Sequence, residues 1–500
     1  MKTKKRIKSI LIANRGEIAI RIARTAKKLG IQTVGIRTKK EPNAHYLIHM
    51  DKVLDFPERE DDKIPEFLDI NNLVYLAKRN KVSAIHPGYG YLSENAQFAI
   101  KCTEDGVIFI GPSPRVIQNM GDKIIAKKIA AKGKVPMLGG SKGSVDTFDE
   151  ANEIAKELDY PIIIKASAGG GGRGMRIVRK QSELKQMYYA ASNEALSAFN
   201  NPSVFIEKYL ENPRHIEVQI VADSYGNVLH LGERDCSVQR KHQKLLEEAP
   251  SPALNEELRA QVTAAAVSLA KEADYVSLGT VEFLLDKHKN FYFMEMNTRV
   301  QVEHPVTEMI TGLDLIEMQI RIANGEKLSL TQDDVKLDGW AIECRINAED
   351  VQSNFSPYLG AISALRFPEG KGIRVDSGVV VGSEVTPHFD SMLAKLIVHA
   401  ENRDAAIEKT LNALSNFYVG GIKTTIPFDK AVLHNEVFRS GEFDTSFIEK
   451  DMDTMAHSEE EDELMAALYA MHHYLSRQQV EAGGDETNDA WVLRNRIRNL

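Results

Sequence analysis

The stretch LGTVEFLLDKHKNFYFMEMNT, residues 278–298, decides the fold of the central part of this chain. Two apolar segments flank four polar turn residues, 287–290, and this pattern predicts a β-hairpin. If Asp286 faces Phe291 across the turn, the antiparallel register sets every other cross-strand pair. The apolar neighbours are expected to form one core face, which leaves the other face for a cleft: Phe283, Leu284, Phe293 and Met294.

That register places two glutamates, Glu282 and Glu295, directly opposite each other. Like charges that face across a strand pair repel, and burying them is costly unless they are paired or bind a cation. Asn297 lies two residues beyond Glu295, on the same face. Two carboxylates and an amide oxygen suit Mg²⁺ or Mn²⁺ shared with phosphates. The alternative is an exposed, charged strand face, which the apolar neighbours disfavour.

The chain continues past the hairpin as NTRVQVEHP, residues 297–305. If this segment is extended, Arg299, Gln301 and Glu303 share the face of the metal ligands. A cation beside metal-bound phosphate suits a small anionic substrate, and a carboxylate there can act as a general base. A structural salt bridge between Arg299 and Glu303 is the alternative.

A glycine-rich loop at 169–174 lies between an apolar strand at 162–166 and a second strand at 175–178. Without Cβ atoms, its backbone N–H groups can approach an anion closely, and Lys165 and Arg173 add positive charge. No Gly-Lys-Ser/Thr follows the loop, and a strand follows it where a dinucleotide fingerprint needs a helix. The pattern therefore favours a flap over phosphates, with an ordinary turn as the alternative.

The N-terminal part opens with a strand at 9–13, a helix at 17–29 and a strand at 32–36, which predicts a parallel sheet with helices on both faces. A second polar cluster at 235–244, with His215 elsewhere in the chain, favours polyanion binding through Gln239, His242 and Lys244. From about residue 451 the chain becomes acidic, and we expect a partly helical tail that either docks on a partner or is merely solvated.

Composition restricts the function further. The chain has 500 residues, enough for two to four domains, and a formal charge of −8 that argues against nucleic acid as the main partner. No apolar run approaches the length of a membrane span, and the basic start leads into a strand and not an export signal. The three cysteines are far apart, which excludes a disulfide framework or paired metal ligands and favours the cytoplasm.

Taken together, these segments resemble the biotin carboxylase family of the ATP-grasp superfamily. The resemblance covers residues from about 8 to about 447 and rests on the following stretches: IANRGEIA at 12–19, HPGYGYLSEN at 86–95, MGDK at 120–123, 168–175, 207–215, ERDCS at 233–237, 295–312 and ECRINAED at 343–350. It implies a mixed α/β fold with a doubly wound N-terminal domain at 1–120, an ATP-grasp domain at 121–330 with a mobile flap at 137–209, a C-terminal domain at 331–450, and the tail at 451–500.

The resemblance also implies a role for each matching residue. It assigns ATP contacts to Lys123, Lys165, Gly171, Gly172, Glu207, Lys208, Tyr209, Leu210, His215, Gln239 and His242. It assigns two Mg²⁺ or Mn²⁺ ions to Glu282, Glu295 and Asn297, and bicarbonate to Lys244, Arg299, Gln301 and Val302. Glu303 is then the base that deprotonates bicarbonate, and Arg345 stabilises the biotin enolate.

The implied reaction transfers the γ-phosphoryl group of ATP to bicarbonate, and the resulting carboxyphosphate carboxylates biotin. We see no biotin-attachment motif and no carboxyltransferase region, so biotin is expected on a separate carrier protein, within an acyl-CoA or pyruvate-type carboxylase. Ala168 stands where many relatives have a further glycine, with little expected effect, and Tyr91 replaces a common Phe. A homodimer is expected, although Lys28 stands where some relatives place an acidic contact.

Two other functions compete with this interpretation. One is a different ATP-grasp ligase, which would hydrolyse ATP with bicarbonate but not respond to biotin. The other is a catalytically silent nucleotide-binding scaffold of a carboxylase complex, which would show no bicarbonate-dependent turnover. The stretch from Arg299 to His304 together with Arg345 favours biotin over the first. The presence of all the residues that the chemistry needs argues against the second.

Overall fold

A computed structural model of the protein describes residues 7–58, 64–141, 143–166, 175–199, 201–241, 243–455 and 471. The predicted contacts of Gly171, Gly172 and His242, the glycine loop with Arg173, and most of the acidic tail lie outside these residues.

The N-terminal part is a five-stranded parallel sheet in the order β3-β2-β1-β4-β5. Its strands are β1 Ser9–Ile12, β2 Gln32–Arg37, β3 Lys52–Asp55, β4 Ala84–His86 and β5 Ile108–Phe109. Its helices are α1 Gly16–Lys28, α2 Ile70–Arg79, α3 Ala96–Glu104 and α4 Pro114–Gly121, with 3-10 helices at His45–His49 and Glu66–Leu68. The predicted strand–helix–strand opening is confirmed within one residue at each end. Buried apolar side chains of β1, β4 and α1 form the core, such as Leu11, Ile85 and Ile22.

The next part is a small antiparallel sheet, β7-β6-β8, covered by two helices. It contains β6 Ile162–Ala166, β7 Arg176–Val178 and β8 Val204–Lys208, with α5 Lys123–Lys132 before it and α6 Phe148–Leu158 and α7 Gln181–Phe199 around it. The strands β6 and β7 pair antiparallel, so the glycine loop joins the two strands of a hairpin, as the sequence predicts. This sheet has its own core, which includes Ile162, Ile164 and Ile206.

An eight-stranded sheet in the order β13-β12-β9-β10-β11-β14-β21-β19 forms the centre of the molecule. Its strands are β9 Arg214–Ala222, β10 Val228–Arg240, β11 Gln243–Ala249, β12 Ser277–Leu285, β13 Phe291–Asn297, β14 Trp340–Asn347, β19 Ile373–Ser377 and β21 Met392–Ala400. The helices before β14 are α8 Glu256–Glu272, α9 His304–Thr311 and α10 Leu315–Ala323, followed by a 3-10 helix at Gln332–Asp334. All its strand pairs are antiparallel, so residues of the central and C-terminal parts share one surface.

The C-terminal part adds three short antiparallel pairs and four helices. The pairs are β15 Glu349–Asp350 with β16 Ser356–Pro357, β17 Gly360–Ala361 with β20 Glu384–Val385, and β18 Ala364–Arg366 with β22 Tyr418–Gly420. The helices are α11 Arg403–Ser415, α12 Ile426–His434, α13 Glu436–Ser440 and α14 Phe447–Met455. Among the helices described, none is long and apolar enough to cross a bilayer.

Candidate active site

The β12–β13 hairpin pairs Glu282 with Glu295, as predicted, but its register near the turn differs from the expected one. Leu285, and not Asp286, pairs with Phe291, because Asp286 accepts hydrogen bonds from the backbone N–H groups of His288 and Asn290, both at 2.8 Å, and so belongs to the turn. The predicted pairing of Asp286 is therefore wrong by one residue. A β-bulge between the pair at Phe283 and the pair at Glu282 shifts the register back, and Glu282 faces Glu295 as predicted.

Strand alternation corrects the expected core face. Phe283 and Phe293 are buried, as predicted, but Leu284 is only half-buried and Met294 is 38% exposed. Leu284 and Met294 directly follow these two residues along their strands, and successive side chains of a strand point to opposite faces, so the four residues cannot share one core face.

Glu282 and Glu295 occupy different electrostatic environments. Glu282 is buried and accepts hydrogen bonds from His215 Nε2 at 2.9 Å, Asn297 Nδ2 at 2.6 Å and Gln301 Nε2 at 3.0 Å. Burial opposes its ionisation, but the charges of Lys244 and His215 outweigh burial and lower the pKa of Glu282 to about 2.

Glu295 is exposed, and no side chain among the described residues donates a hydrogen bond to it. Although part of its side chain meets solvent, protein atoms surround its carboxyl end, and this desolvation together with the nearby carboxylates of Glu282 and Glu94 raises the pKa of Glu295. A carboxylate that is repelled by its neighbours and lacks a donor is what a cation-binding site requires, so the donor set fits Mg²⁺ or Mn²⁺. The predicted third ligand, the Oδ1 atom of Asn297, accepts a hydrogen bond from Arg299 Nη2 at 3.1 Å.

Lys244 lies among three carboxylates. Its Nζ atom contacts Glu217, lies 3.4 Å from Glu282 Oε1 and donates to Glu303 Oε1 at 2.7 Å. Burial lowers its pKa, but the charges of Glu282 and Glu303 prevail and raise it, so the ammonium is charged. Sequence reasoning missed Glu217, although it follows His215 by two residues on β9 and must share its face. His215, Glu217 and Glu282 place ligand atoms within 4.8 Å of one another.

Glu303 is fully buried between two cations. Glu303 accepts hydrogen bonds from Lys244 Nζ and, at 3.0 Å, from Arg345 Nη2. The Nε atom of Arg345 donates to Glu247 Oε1 at 2.6 Å. Burial opposes ionisation, yet Lys244 and Arg345 hold the pKa of Glu303 well below its ordinary value. The carboxylate is therefore ionised and can accept a proton only from a group that displaces or shares these donors.

The segment 298–303 is not the extended strand that the sequence predicts. The strand β13 ends at Asn297, and Glu303 is the N-cap residue of α9, which begins at His304. Arg299 still contacts Gln301 Oε1 at 2.7 Å, but its ion pair is with Glu94 at 2.9 Å and not with Glu303. Glu94 also accepts from the backbone N–H of Thr298 at 3.0 Å, and sequence reasoning gave Glu94 no role.

The predicted ATP residues separate into two groups. Glu207 on β8 binds Lys165 at 2.5 Å and also contacts Lys127, which sequence reasoning missed. These two lysines outweigh burial and lower the pKa of Glu207 to about 2. Burial and the charge of Lys165 lower the pKa of Lys123, and this links Lys123 to the same cluster.

The other predicted ATP residues lie apart from this cluster or near the carboxylates. Lys208 donates to the carbonyl oxygens of Asp159 and Tyr160, both at 3.1 Å, because successive residues of β8 point to opposite faces. Tyr209 and Leu210 are half-buried, and Gln239 pairs directly with Lys244 across β10 and β11. The structure therefore places Gln239 at the edge of the carboxylate site.

The arrangement supports a definite chemistry. It combines a carboxylate pair that fits a divalent cation, lysines that suit phosphate, and an ionised glutamate beside Lys244 and Arg345. Such a site can bind a metal–nucleotide complex, hold a small anion next to it and accept a proton from that anion. The residues of the carboxylate network come from β9, β11, β12, β13, β14 and the N-cap of α9, so the central sheet and the C-terminal part both build it.

Three family models match the chain. They are the biotin carboxylase N-terminal domain over residues 6–117, the ATP-binding domain of the carbamoyl-phosphate synthase L chain over 122–331, and the biotin carboxylase C-terminal domain over 343–450.

Individual relatives agree with these matches over almost their whole lengths. Biotin carboxylase 1 of Bacillus subtilis is 50% identical over 89% of this chain and 98% of its own length. The 2-oxoglutarate carboxylase small subunit of Hydrogenobacter thermophilus is 46% identical over 94% of this chain and 100% of its own length.

A solved structure has the same fold. The biotin carboxylase domain dimer of the Hydrogenobacter thermophilus 2-oxoglutarate carboxylase, in complex with MgADP, ADP and bicarbonate, superposes with a TM-score of 0.86 at 46% identity. The match covers 91% of this chain and 100% of that one.

Proposed function

The chain belongs to the biotin carboxylase family, which carboxylates biotin with bicarbonate at the expense of ATP, and from that membership we propose how its residues divide the work. The observation that carries the proposal is the position of Glu303, ionised and fully buried between Lys244 and Arg345 and close to the paired glutamates of the β12–β13 hairpin. A base, an anion site and a cation site therefore meet in one cleft.

We assign the cation to Glu282, Glu295 and Asn297. These residues would hold Mg²⁺ or Mn²⁺, two ions in all, which would supply positive charge against the phosphates during phosphoryl transfer. Lys165 and Lys123 hold the nucleotide phosphates from the side of the flap. Glu207 orients Lys165 through their ion pair. His215 fixes the orientation of Glu282 through its hydrogen bond. The remaining ATP contacts proposed from the family resemblance are Gly171, Gly172, Lys208, Tyr209, Leu210, Gln239 and His242.

We assign bicarbonate to the space bordered by Lys244, Arg299, Gln301 and Val302. The guanidinium of Arg299 is aligned by its contacts with Glu94 and Gln301, so its orientation is set before the anion binds. Glu303 accepts the proton of bicarbonate, which makes its oxygen a better nucleophile towards the γ-phosphorus of ATP. Lys244 stabilises the negative charge that develops on the bridging oxygen.

We assign biotin to the neighbourhood of Arg345. Its guanidinium is held by Glu247 and Glu303 and keeps its charge, because these carboxylates outweigh burial and raise its pKa. A fixed cation at this place stabilises the negative charge of the biotin enolate after the ureido nitrogen has lost its proton.

The organisation of the chain is proposed on the same basis. The family matches support domains at 1–120, 121–330 and 331–450, and the flap at 137–209 and the tail at 451–500 are proposed from the family resemblance. The Hydrogenobacter thermophilus relative, which is named as a small subunit, supports biotin on a separate carrier, with a carboxyltransferase on another chain.

The dimer of the Hydrogenobacter thermophilus domain supports a homodimer. In that dimer Lys28, here paired with Glu317 at 3.1 Å, would replace an acidic contact. The three buried, free cysteines are consistent with the proposed cytoplasmic location.

The test is ADP release by the full chain with Mg²⁺, with and without bicarbonate and biotin. Wild type should release ADP in a bicarbonate-dependent way that biotin stimulates. Glu303→Gln should lose about 10²- to 10⁴-fold in this rate, the contribution of a general base, while it still binds nucleotide. Glu384→Gln, an exposed glutamate on β20, is the matched control. A wild-type rate of Glu303→Gln would refute the role of Glu303, and indifference of wild type to biotin, on a carrier as well as free, would favour another ATP-grasp ligase.

A further inference from the structure

Lys395 on β21 is a lysine with no exposed side-chain surface, although a buried ammonium is expensive. Its Nζ atom donates to the carbonyl oxygen of Val302 at 2.6 Å and forms an ion pair with Glu17 Oε1 at 3.1 Å. Val302 precedes the proposed base, and Glu17 lies on α1 of the N-terminal sheet. One buried side chain therefore connects the N-terminal part, the C-terminal part and the catalytic segment.

The sheet register explains why Lys395 reaches this segment. Lys395 on β21 faces Arg345 on β14, so both side chains leave the same face of the sheet. Arg345 binds the side chain of Glu303, while Lys395 binds the backbone of the preceding residue, Val302. Two neighbouring cations thus hold two consecutive residues: Arg345 holds the carboxylate of Glu303, and Lys395 holds the backbone carbonyl of Val302.

Holding the Val302 carbonyl has a geometric consequence. The peptide unit is planar, so a fixed carbonyl fixes the plane of the bond that joins Val302 to Glu303. This plane sets the direction in which the Glu303 side chain leaves the backbone. It also restrains Val302, which lies next to the proposed bicarbonate.

The charge of Lys395 is balanced mainly from the N-terminal part, although the buried carboxyl group of Glu343 on β14 also acts on it. Asp376 faces Lys395 from β19, but Arg374 binds its carboxylate at 3.1 Å and Arg24 approaches it at 3.4 Å. Glu17, also buried, is the ion-pair partner of Lys395 and accepts a further hydrogen bond from Tyr89 at 2.5 Å. The position of α1 is therefore transmitted to Val302 through Glu17 and Lys395.

We propose that Lys395 is a positioning residue for bicarbonate, which holds Val302 and Glu303 in place by binding the Val302 carbonyl and is itself anchored by Glu17. This inference rests on the proposed function, because it takes the 301–303 segment to be the bicarbonate site.

The experiment measures the steady-state kinetics of the full-length protein. Lys395→Met should raise the KM for bicarbonate by about ten- to hundredfold, the effect of losing a hydrogen bond from a charged donor, and leave the KM for ATP unchanged. The double variant Lys395→Met with Glu17→Gln removes both buried charges. It should regain thermal stability over the single variant but keep the high KM for bicarbonate. Lys409→Met is the matched control, because Lys409 also donates to a backbone carbonyl, that of His399 at 3.0 Å, away from the site.

Each outcome decides between positioning and simple charge balance. A raised KM in the double variant, together with partial recovery in Lys395→Arg, supports the proposal. A wild-type KM for bicarbonate in the double variant overturns it, because Lys395 would then only neutralise Glu17. If neither Met variant folds, Glu17→Gln is measured alone: it keeps Lys395 but weakens its anchor, so a raised KM for bicarbonate supports the proposal and a wild-type KM overturns it. Absence of bicarbonate-dependent ADP release in wild type would instead refute the proposed function.

Discussion

Replacing Glu295 with Gln should make the metal-free protein more stable and the enzyme nearly inactive. Glu282 is already held by His215, Asn297 and Gln301, at 2.6 to 3.0 Å, whereas Glu295 faces it across the ladder without a described donor. Two unit charges about 5 Å apart repel by about 3 kcal/mol at an effective dielectric constant of about 20. Solvent at the exposed Glu295 and the cations around Glu282 reduce this to about 1 kcal/mol.

The assay combines thermal unfolding with turnover. In EDTA without nucleotide, Glu295→Gln should unfold about 1–2 °C above wild type, because about 1 kcal/mol of repulsion is removed. With MgADP the order should reverse, since wild type gains more free energy from ligand binding. Bicarbonate-dependent ADP release should fall by about 10²- to 10³-fold, the effect of losing one electrostatic contact to the transition state.

Glu384→Gln is again the control, because it removes an exposed carboxylate that has no part in the proposed site. If Glu295→Gln lowers the stability of the metal-free protein, the like-charge argument is wrong. If the variant keeps wild-type turnover with Mg²⁺, Glu295 is not a metal ligand.

Three further results are expected. The pKa of Glu207 is about 2, below its ordinary value of 4.5, so Glu207 contributes stability that is present above about pH 4.5 and is lost as the pH falls towards 2. The free energy of unfolding, followed between pH 6 and 3, should therefore fall less in Glu207→Gln, by about 2 kcal/mol, and parallel curves would contradict the ion pair with Lys165. Arg345→Met should abolish biotin-stimulated ADP release but keep slow bicarbonate-dependent ADP release without biotin, and equal losses in both assays would refute a role specific to biotin. The three cysteines are buried and burial raises their pKa values, so a thiol reagent at pH 8 should label them only after unfolding, and rapid labelling of the native protein would contradict their burial.

The features that depend on short-range geometry could be predicted from the amino-acid sequence. Strand alternation and a four-residue turn were enough to pair Glu282 with Glu295, and the βαβ opening predicted the parallel sheet. The pair was found although the register near the turn was wrong by one residue. The error cancelled because Asp286 pairs with Asn290 and closes a turn that is one residue shorter than predicted, and the bulge at Met294 adds one residue to the second strand. A bulge depends on how neighbouring strands pair and how the core packs, so a local sequence pattern does not predict it.

Tertiary structure alone decided the partners of the charged groups. Arg299 binds Glu94, which is 205 residues away in sequence, and Lys395 binds Val302, which is 93 residues away. Both contacts depend on how the N-terminal and C-terminal parts pack on the central sheet. Spacing along the chain predicted a shared face for Arg299 and Glu303, but the strand ends at Asn297. In the folded chain Glu303 instead accepts hydrogen bonds from Lys244 and Arg345. The sequence can show which ionisable groups are present, but their partners are set by burial, where each charge must meet an opposite charge that the folded chain brings within reach.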